Sequence, residues 1–254
     1  MARCGTRWCV VVGWLLFVLP STAQEFRVET EVFVDDQKKP ESLTLFAADV
    51  VYDFLLLPNE EITMFDIQRG RLVLLDESRQ LKAVLTTEQL LEFSAAIKAR
   101  GMEQGSKHLF DPQFETTYDD ESRRLKLASE RLTYQAKGLV PKQPDAARRF
   151  QQFADGYARL NAMRPGNLPP FGRLLLNQAL ADRELVPLEI VRELVVDRPV
   201  SDKKLVANSR HTFTWLFSNT DRNRIDKVSG YVAKFTEVSA DVFWKAPAVA
   251  VKSK

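Results

Sequence analysis

Residues 26–86 contain six short runs that are either alternately apolar and polar or almost entirely apolar, and tight turns separate them. A period of two residues is typical of a β-strand with one buried face. The runs cover residues 26–35, 42–47, 50–57, 61–68, 71–76 and 80–86. Because they are evenly spaced and joined by short turns, the sequence predicts an antiparallel meander.

Two of these runs, 50–57 and 71–75, are apolar on both faces, so each side of the predicted sheet needs a cover. The first candidate cover is a helix over residues 87–100, capped by Thr87 and ended by Gly101. Its apolar stripe has helical spacing and contains Leu90, Leu91, Phe93, Ala96 and Ile97.

The second half of the chain alternates between further strands and helices, with no internal repeat and no long linker. The patterns predict strands over 114–119, 124–128, 131–136, 188–197 and 205–217, and helices over 145–163, 171–181 and 220–235. A turn containing Pro199 joins the last two strands, and Ser218, Asn219 or Thr220 caps the last helix. Together these elements predict one α+β domain over residues 24–254, with a curved antiparallel sheet covered by helices.

The first 23 residues have the order of a secretory signal peptide. Arg3 and Arg7 precede an apolar run from Trp8 to Pro20, and the small residues 21–23 follow. The apolar run is shorter than the roughly 20 residues of a membrane span, although an uncleaved anchor is the alternative. We expect cleavage after Ala23 and export of the remaining chain to the periplasm or the extracellular space, without a stable membrane span.

Charge and cysteine content exclude several functions for the exported chain. Removing Arg3 and Arg7 from the 36 basic residues leaves 34, which equals the number of acidic residues. A formally neutral protein lacks the basic surplus of a nucleic-acid binder. Both cysteines, Cys4 and Cys9, lie in the signal peptide, so disulfides, cysteine nucleophiles and cysteine metal ligands are excluded from the remainder.

Residues with the chemistry of an active site are few. His108 and His211 lack the spacing of a metal-ligand motif, and no glycine-rich phosphate loop, nucleophile elbow or calcium loop occurs. Adjacent carboxylates, such as Asp35 with Asp36, would point to opposite faces of a strand. The sequence therefore indicates no cofactor and no metal. It leaves one enzymatic alternative, a hydrolase built around His211, with Ser209 on the same strand face.

The apolar strands and helices can build either a closed core or a cavity of lipid size between the sheet and its helices. If a cavity exists, the candidate lining residues are those on the most apolar strands: Phe54, Leu56, Leu72, Leu74, Phe213 and Trp215.

Short segments on successive predicted strands carry a family resemblance: Val51-Tyr52-Asp53-Phe54, Phe65-Asp66 and Leu74-Leu75-Asp76. With the predicted order of elements, they resemble the exported half-barrel superfamily of periplasmic lipoprotein carriers. The resemblance is architectural and spans most of the chain after the signal. It implies an apolar face that shelters an acyl chain or an apolar protein segment without covalent chemistry.

A second resemblance is to uncharacterised secreted bacterial proteins, and it names no activity. Its segments are Tyr157-Ala-Arg-Leu-Asn161, Leu168-Pro-Pro-Phe171 and Leu174-Leu-Leu-Asn177.

The sequence thus favours an exported binding or carrier protein for an apolar ligand or a lipoprotein. The alternatives are the hydrolase and a purely structural or interaction domain, and the oligomeric state stays open.

Overall fold

The structure is a computed structural model that describes residues 25–35, 37–38, 41–56, 61–196 and 203–245. The predicted signal peptide, the turn at Pro58-Asn59 and the turn containing Pro199 lie outside the described residues.

Apart from the two-residue strands β2 and β13, the described strands have the bounds that the sequence predicts to within a few residues. They are β1 (Phe26–Val34), β2 (Gln37–Lys38), β3 (Glu41–Ala47), β4 (Val50–Leu56), β5 (Glu61–Asp66), β6 (Arg71–Asp76), β7 (Leu81–Thr86), β8 (Glu115–Asp119), β9 (Arg124–Ala128), β10 (Leu132–Leu139), β11 (Val186–Val196), β12 (Lys203–Thr214) and β13 (Thr236–Glu237).

All of these strands belong to one curved, unclosed sheet in the order β13-β7-β6-β5-β4-β3-β1-β12-β11-β10-β9-β8, with the short β2 paired to β1. Apart from the two-residue parallel pairing of β13 with β7, the neighbouring strands of the described sheet are antiparallel. The meander predicted for residues 26–86 is confirmed. A second meander, β8 to β12, joins it where β12 pairs with β1.

Six helices lie between or after the strands, and the α+β class predicted from the sequence is confirmed. They are α1 (Thr87–Glu103), α2 (Lys107–Phe110), α3 (Ala146–Ala162), α4 (Phe171–Ala181), α5 (Asn219–Lys234) and α6 (Ala240–Trp244).

One face of the sheet, termed the α3 face, packs against α3 and α4. On the β1–β7 side, Phe46, Phe65 and Leu74 form a core with Phe150 and Phe153 of α3. On the β9–β11 side, a second core joins strand residues to Leu176 and Leu180 of α4. The α3 face therefore carries two apolar clusters side by side.

The opposite face, termed the α5 face, packs against α5. Phe54, Val73 and Leu75 form a core there with Val228 and Phe235. Strands β4 and β6 place apolar residues in the cores of both faces, which explains why their sequences lack a polar side. The prediction that both sides of the sheet need a cover is confirmed.

Helix α1 differs from its prediction at both ends. Its N-cap is Thr86, whose Oγ1 accepts a hydrogen bond from the backbone N–H of Gln89 at 3.2 Å. It continues through Gly101 to Glu103, so the prediction that Gly101 ends the helix is wrong. A Cβ at Gly101 would lie 2.2 Å from Cδ2 of Phe110, which shows that the glycine permits close packing of α2 on α1.

The predicted inner stripe of α1 is also only partly correct. Leu90 is buried, whereas Leu91 is 53% exposed and Ala96 is exposed. The α1 residues that are buried are Leu90, Ser94 and Gly101. The small helices α2 and α6 and the two-residue strands β2 and β13 were absent from the sequence-based prediction, because segments of two to five residues are too short to show a period.

Candidate functional site

A cavity of about 450 Å³ lies between the α3 face of the sheet and the two helices that cover it. It is situated where the two apolar clusters of this face meet, above the junction of β1 with β12. The lining residues come from β1, β3, β4, β10, β11, β12, α3, α4 and the link before α4: Thr30, Val32, Ser42, Thr44, Asp53, Leu55, Tyr134, Phe150, Phe153, Ala154, Tyr157, Ala158, Asn161, Asn167, Leu168, Pro169, Pro170, Arg173, Ile190, Arg192, Ala207, Asn208, Ser209 and His211.

Helix α3 supplies much of the apolar wall. Phe150, Phe153, Ala154 and Tyr157 recur at helical spacing, so they share the inward side of the helix. Phe150 and Phe153 also pack on Phe46, with ring centroids 6.1 Å and 5.6 Å from its own. These two rings therefore belong both to the core and to the cavity wall.

A buried acid lies on the β4 side of the cavity. Thr44, the cross-strand neighbour of Asp53, donates a hydrogen bond from Oγ1 to Asp53 Oδ1 at 2.6 Å. The Tyr157 hydroxyl from α3 also hydrogen-bonds to this carboxyl group. Burial raises the pKa of Asp53 to about 6, against the lowering effect of these hydrogen bonds. The group thus changes charge close to neutral pH.

His211, on β12, lines the cavity and is 8% exposed. Its Nδ1 is 3.0 Å from Thr30 Oγ1, and its Nε2 is 3.1 Å from Ser209 Oγ. Burial lowers the pKa of His211 to about 3, and the nearby charge of Arg173 adds to this effect. At neutral pH the imidazole is therefore uncharged, with a hydroxyl group at each nitrogen.

Two arginines occupy the β10–β11 side. Arg173 comes from the first turn of α4, Arg192 comes from β11, and both lie near the Tyr134 hydroxyl. Arg173 Nε donates a hydrogen bond to Asn177 Oδ1 at 2.8 Å, and Asn177 Nδ2 donates one to Asp155 Oδ1 at 2.8 Å. Burial lowers the pKa of Arg173, and the neighbouring positive charge of Arg192 also disfavours its ionised form.

Gly172 brings the start of α4 close to the sheet. A Cβ at this position would lie 2.9 Å from Leu132 Cδ2 and 3.0 Å from Tyr134 Cε2. A side chain there would push the helix away, and with it Arg173, the next residue. The small residue is thus a condition for placing a guanidinium group in the cavity.

The His211–Ser209 pair has part of the geometry of a hydrolase but not all of it. A triad requires a carboxylate at the second imidazole nitrogen, and here that nitrogen faces Thr30. Among the described residues, no carboxylate forms a hydrogen bond with His211. With a pKa of about 3, the imidazole is also a weak general base at neutral pH.

The part of the chain that the structure describes contains neither a cluster of metal-binding side chains nor a helix suited to span a membrane. No group of three or more histidine, cysteine or acidic side chains is arranged to hold a metal ion. None of the described helices combines the length and the apolar character that a membrane span requires.

The six residues predicted to line a cavity lie elsewhere in the structure. Phe54 is in the core of the α5 face, and Leu56, at the end of β4, is 36% exposed. Leu72 and Leu74 are fully buried in the core of the α3 face, while Phe213 and Trp215 stack around Phe26 in the same core. None of the six is among the lining residues, although β4 and β12, the strands of Phe54, Leu56 and Phe213, contribute other residues to the lining.

The polar residues of the cavity were missed, apart from His211 and Ser209, which the hydrolase alternative had singled out. One signal for the others exists in hindsight: a lone polar residue within an apolar element. Asp53 is such a residue in β4, and Arg173 and Asn177 form a pair at i, i+4 in the mainly apolar α4.

Comparisons with known proteins add no assignment. A scan against protein-family models finds no match, and a search of curated proteins finds no significant relative.

Proposed function

We propose that this chain is an exported binding or carrier protein that holds an apolar ligand in the cavity between the sheet and helices α3 and α4. The ligand class is a lipid, an acyl chain or an apolar protein segment, as in the half-barrel carriers that the sequence resembles. The single observation that carries the proposal is the cavity of about 450 Å³, a size within the range of small-molecule sites.

The chemistry of the wall supports binding rather than turnover. The lining combines aromatic and aliphatic side chains, such as Phe150, Phe153 and Ile190, with polar groups from the sheet, from α3 and from the start of α4. Fixed polar groups set among apolar side chains orient a ligand in a pocket of this kind.

The first test is to purify the chain that begins at Gln24 and look for a co-purifying ligand by native mass spectrometry and lipid extraction. Binding is then measured with the neutral fluorescent probe N-phenyl-1-naphthylamine. Ala158→Phe, which places a ring in the cavity, is expected to abolish probe binding. The matched control is Ala95→Phe, on the exposed side of α1, which is expected to bind as the unaltered protein does.

Either of two results would contradict the carrier proposal. One is the absence of both a co-purifying ligand and probe binding in a folded protein, which would favour a structural or interaction domain. The other is equal probe binding by Ala158→Phe and Ala95→Phe, because the probe would then bind outside the cavity.

The hydrolase is retained as a second candidate because Ser209 Oγ and His211 Nε2 are within hydrogen-bonding distance in the cavity. Its test is turnover of an ester and peptide panel, with His211→Ala expected to abolish activity while the protein stays folded. No turnover by the unaltered protein would remove this candidate.

A further inference from the structure

The arginine side of the cavity carries more positive charge than the residues around it balance. Arg173 and Arg192 form no ion pair with any described residue, although both line the cavity. Asp155 is linked to Arg173 by hydrogen bonds through the side chain of Asn177, not by direct contact. One indirectly linked carboxylate therefore accompanies two guanidinium groups. Keeping like charges together away from bulk water is costly unless an anion joins them.

Arg192 also has an unused donor. Its Nε atom is buried and has no hydrogen-bond partner among the described residues. Buried donors in native proteins are almost always bonded, so an isolated one beside a cavity indicates a place for an acceptor. An anionic oxygen is the strongest acceptor for guanidinium N–H groups.

The start of α4 adds to this positive potential. Pro169, Pro170 and Arg173 all line the cavity, which places the N-terminus of the helix at the cavity wall. Pro170, its N-cap residue, offers no side-chain hydrogen bond to the first-turn N–H groups. The helix dipole therefore favours negative charge at the same place as the two arginines.

We propose that the arginine side of the cavity binds the acidic head group, a carboxylate or a phosphate, of a single-chain amphiphile whose hydrocarbon chain lies along the apolar wall. This inference rests on the proposed carrier function and specifies the ligand class for it.

The opposite side of the cavity fixes the direction of the ligand. Asp53 lies there among hydrogen-bond donors of its own, and when ionised it repels a second negative group. The head group therefore lies near Arg173 and Arg192, and the chain extends past Phe150 and Phe153.

The volume of the cavity limits the length of the ligand's hydrocarbon chain. At ~30 Å³ for each group of the size of a water molecule, the cavity holds about 15 such groups. A twelve-carbon chain with a carboxylate is of this size, which makes dodecanoate the probe of choice.

The experiment compares four twelve-carbon compounds as competitors of N-phenyl-1-naphthylamine on the chain from Gln24 at pH 8. They are dodecanoate, dodecyl phosphate, dodecanol and dodecyltrimethylammonium. The two acidic compounds are expected to bind at least about 10-fold more tightly than dodecanol, since hydrogen bonds to charged groups are worth more than those to neutral ones. The cationic compound is expected to bind most weakly.

Three variants locate the effect. Arg173→Gln and Arg192→Gln are each expected to weaken binding of the acidic compounds by about 10- to 100-fold and to leave dodecanol unchanged. The control, Arg148→Gln, removes the same charge from an exposed position on α3 and is expected to change nothing. If one of the two cavity variants fails to fold, the other variant still tests where the acidic head group binds. The comparison of the four compounds on the unaltered protein still tests whether acidic compounds are preferred.

The outcomes separate this inference from the carrier function on which it rests. Equal affinities for the four compounds would overturn the inference and leave the carrier function intact, whereas no binding at all would overturn both. A preference for acids that survives both arginine substitutions would overturn the assignment of the head-group site. Inorganic phosphate that competes as well as dodecyl phosphate would also overturn it, because the site would then bind a free anion.

Discussion

Replacing His211 by Asn is expected to make the protein lose less stability in acid. The pKa of His211 is about 3 in the folded protein and about 6.5 in an unfolded chain, so the folded state binds the proton more weakly. The stability that this histidine contributes is present above pH 6.5 and is lost as the pH falls toward 3. Between these limits the loss is about 1.4 kcal/mol per pH unit, or about 5 kcal/mol in full.

Asp53 works in the opposite direction over part of the same range. Its pKa is raised from 3.8 to about 6, so the folded state binds the proton more tightly than the unfolded chain. The stability that the protonated carboxyl contributes is present below pH 3.8 and is lost as the pH rises through 6, by about 3 kcal/mol. From pH 4 to 6 the two residues therefore offset each other in the unaltered protein.

The assay is urea unfolding, followed by tryptophan fluorescence, at several pH values between 4 and 6. The measured quantity is the slope of the free energy of unfolding against pH. Relative to the unaltered protein, His211→Asn should decrease this slope by about 1.4 kcal/mol per pH unit. Asp53→Asn should increase it by the same amount. His108→Asn, at the second histidine of the chain, controls for the loss of an imidazole. Parallel curves for all four proteins would refute the reasoning, as would equal changes in the two histidine variants.

Three further predictions concern packing and capping. Gly172→Ala should destabilise the protein by about 1–3 kcal/mol and weaken dodecanoate binding, measured by urea unfolding and probe competition, because the new Cβ would collide with Leu132 and Tyr134. Leu74→Ala should lower the free energy of unfolding by about 2–5 kcal/mol in urea unfolding, since this side chain is fully buried. A smaller loss than that caused by Leu91→Ala, at an exposed leucine, would contradict the placement of the core. Ser218→Ala should cost about 1 kcal/mol by the same assay, because its Oγ caps α5; an unchanged midpoint would show that the capping box adds nothing.

The period of the sequence was sufficient to predict most of the sheet. Alternation in residues 26–35 reports a strand directly, because successive side chains of a strand point to opposite faces. The apolar stripe of α3 and its stop at Pro165-Gly166 predicted that helix to within a residue at each end. These are local properties, because each depends only on residues that are close together in the chain.

The cavity could not be predicted in the same way. Period two shows which residues of β4 share a face, but both faces are apolar, so it does not show that Asp53 faces the cavity and Phe54 faces α5. The pairing of β1 with β12 brings Thr30 next to His211, which is 181 positions further along the chain. Contacts over such a distance depend on the order of strands in the sheet, which a period does not contain.

The place of β1 in the sheet also has a consequence for how the molecule assembles. This strand is synthesised before β3 and β12, and it can pair with β3 along one edge as soon as β3 has been made. Its other edge finds its partner, β12, only after the intervening 168 residues between Val34 and Lys203 have been synthesised. Until then the edge exposes unpaired N–H and C=O groups, the feature by which strands of different molecules aggregate. The cavity floor spans this junction, so a chain that stops before β12 would lack the binding site. It would also expose the unpaired edge of β1, which favours aggregation.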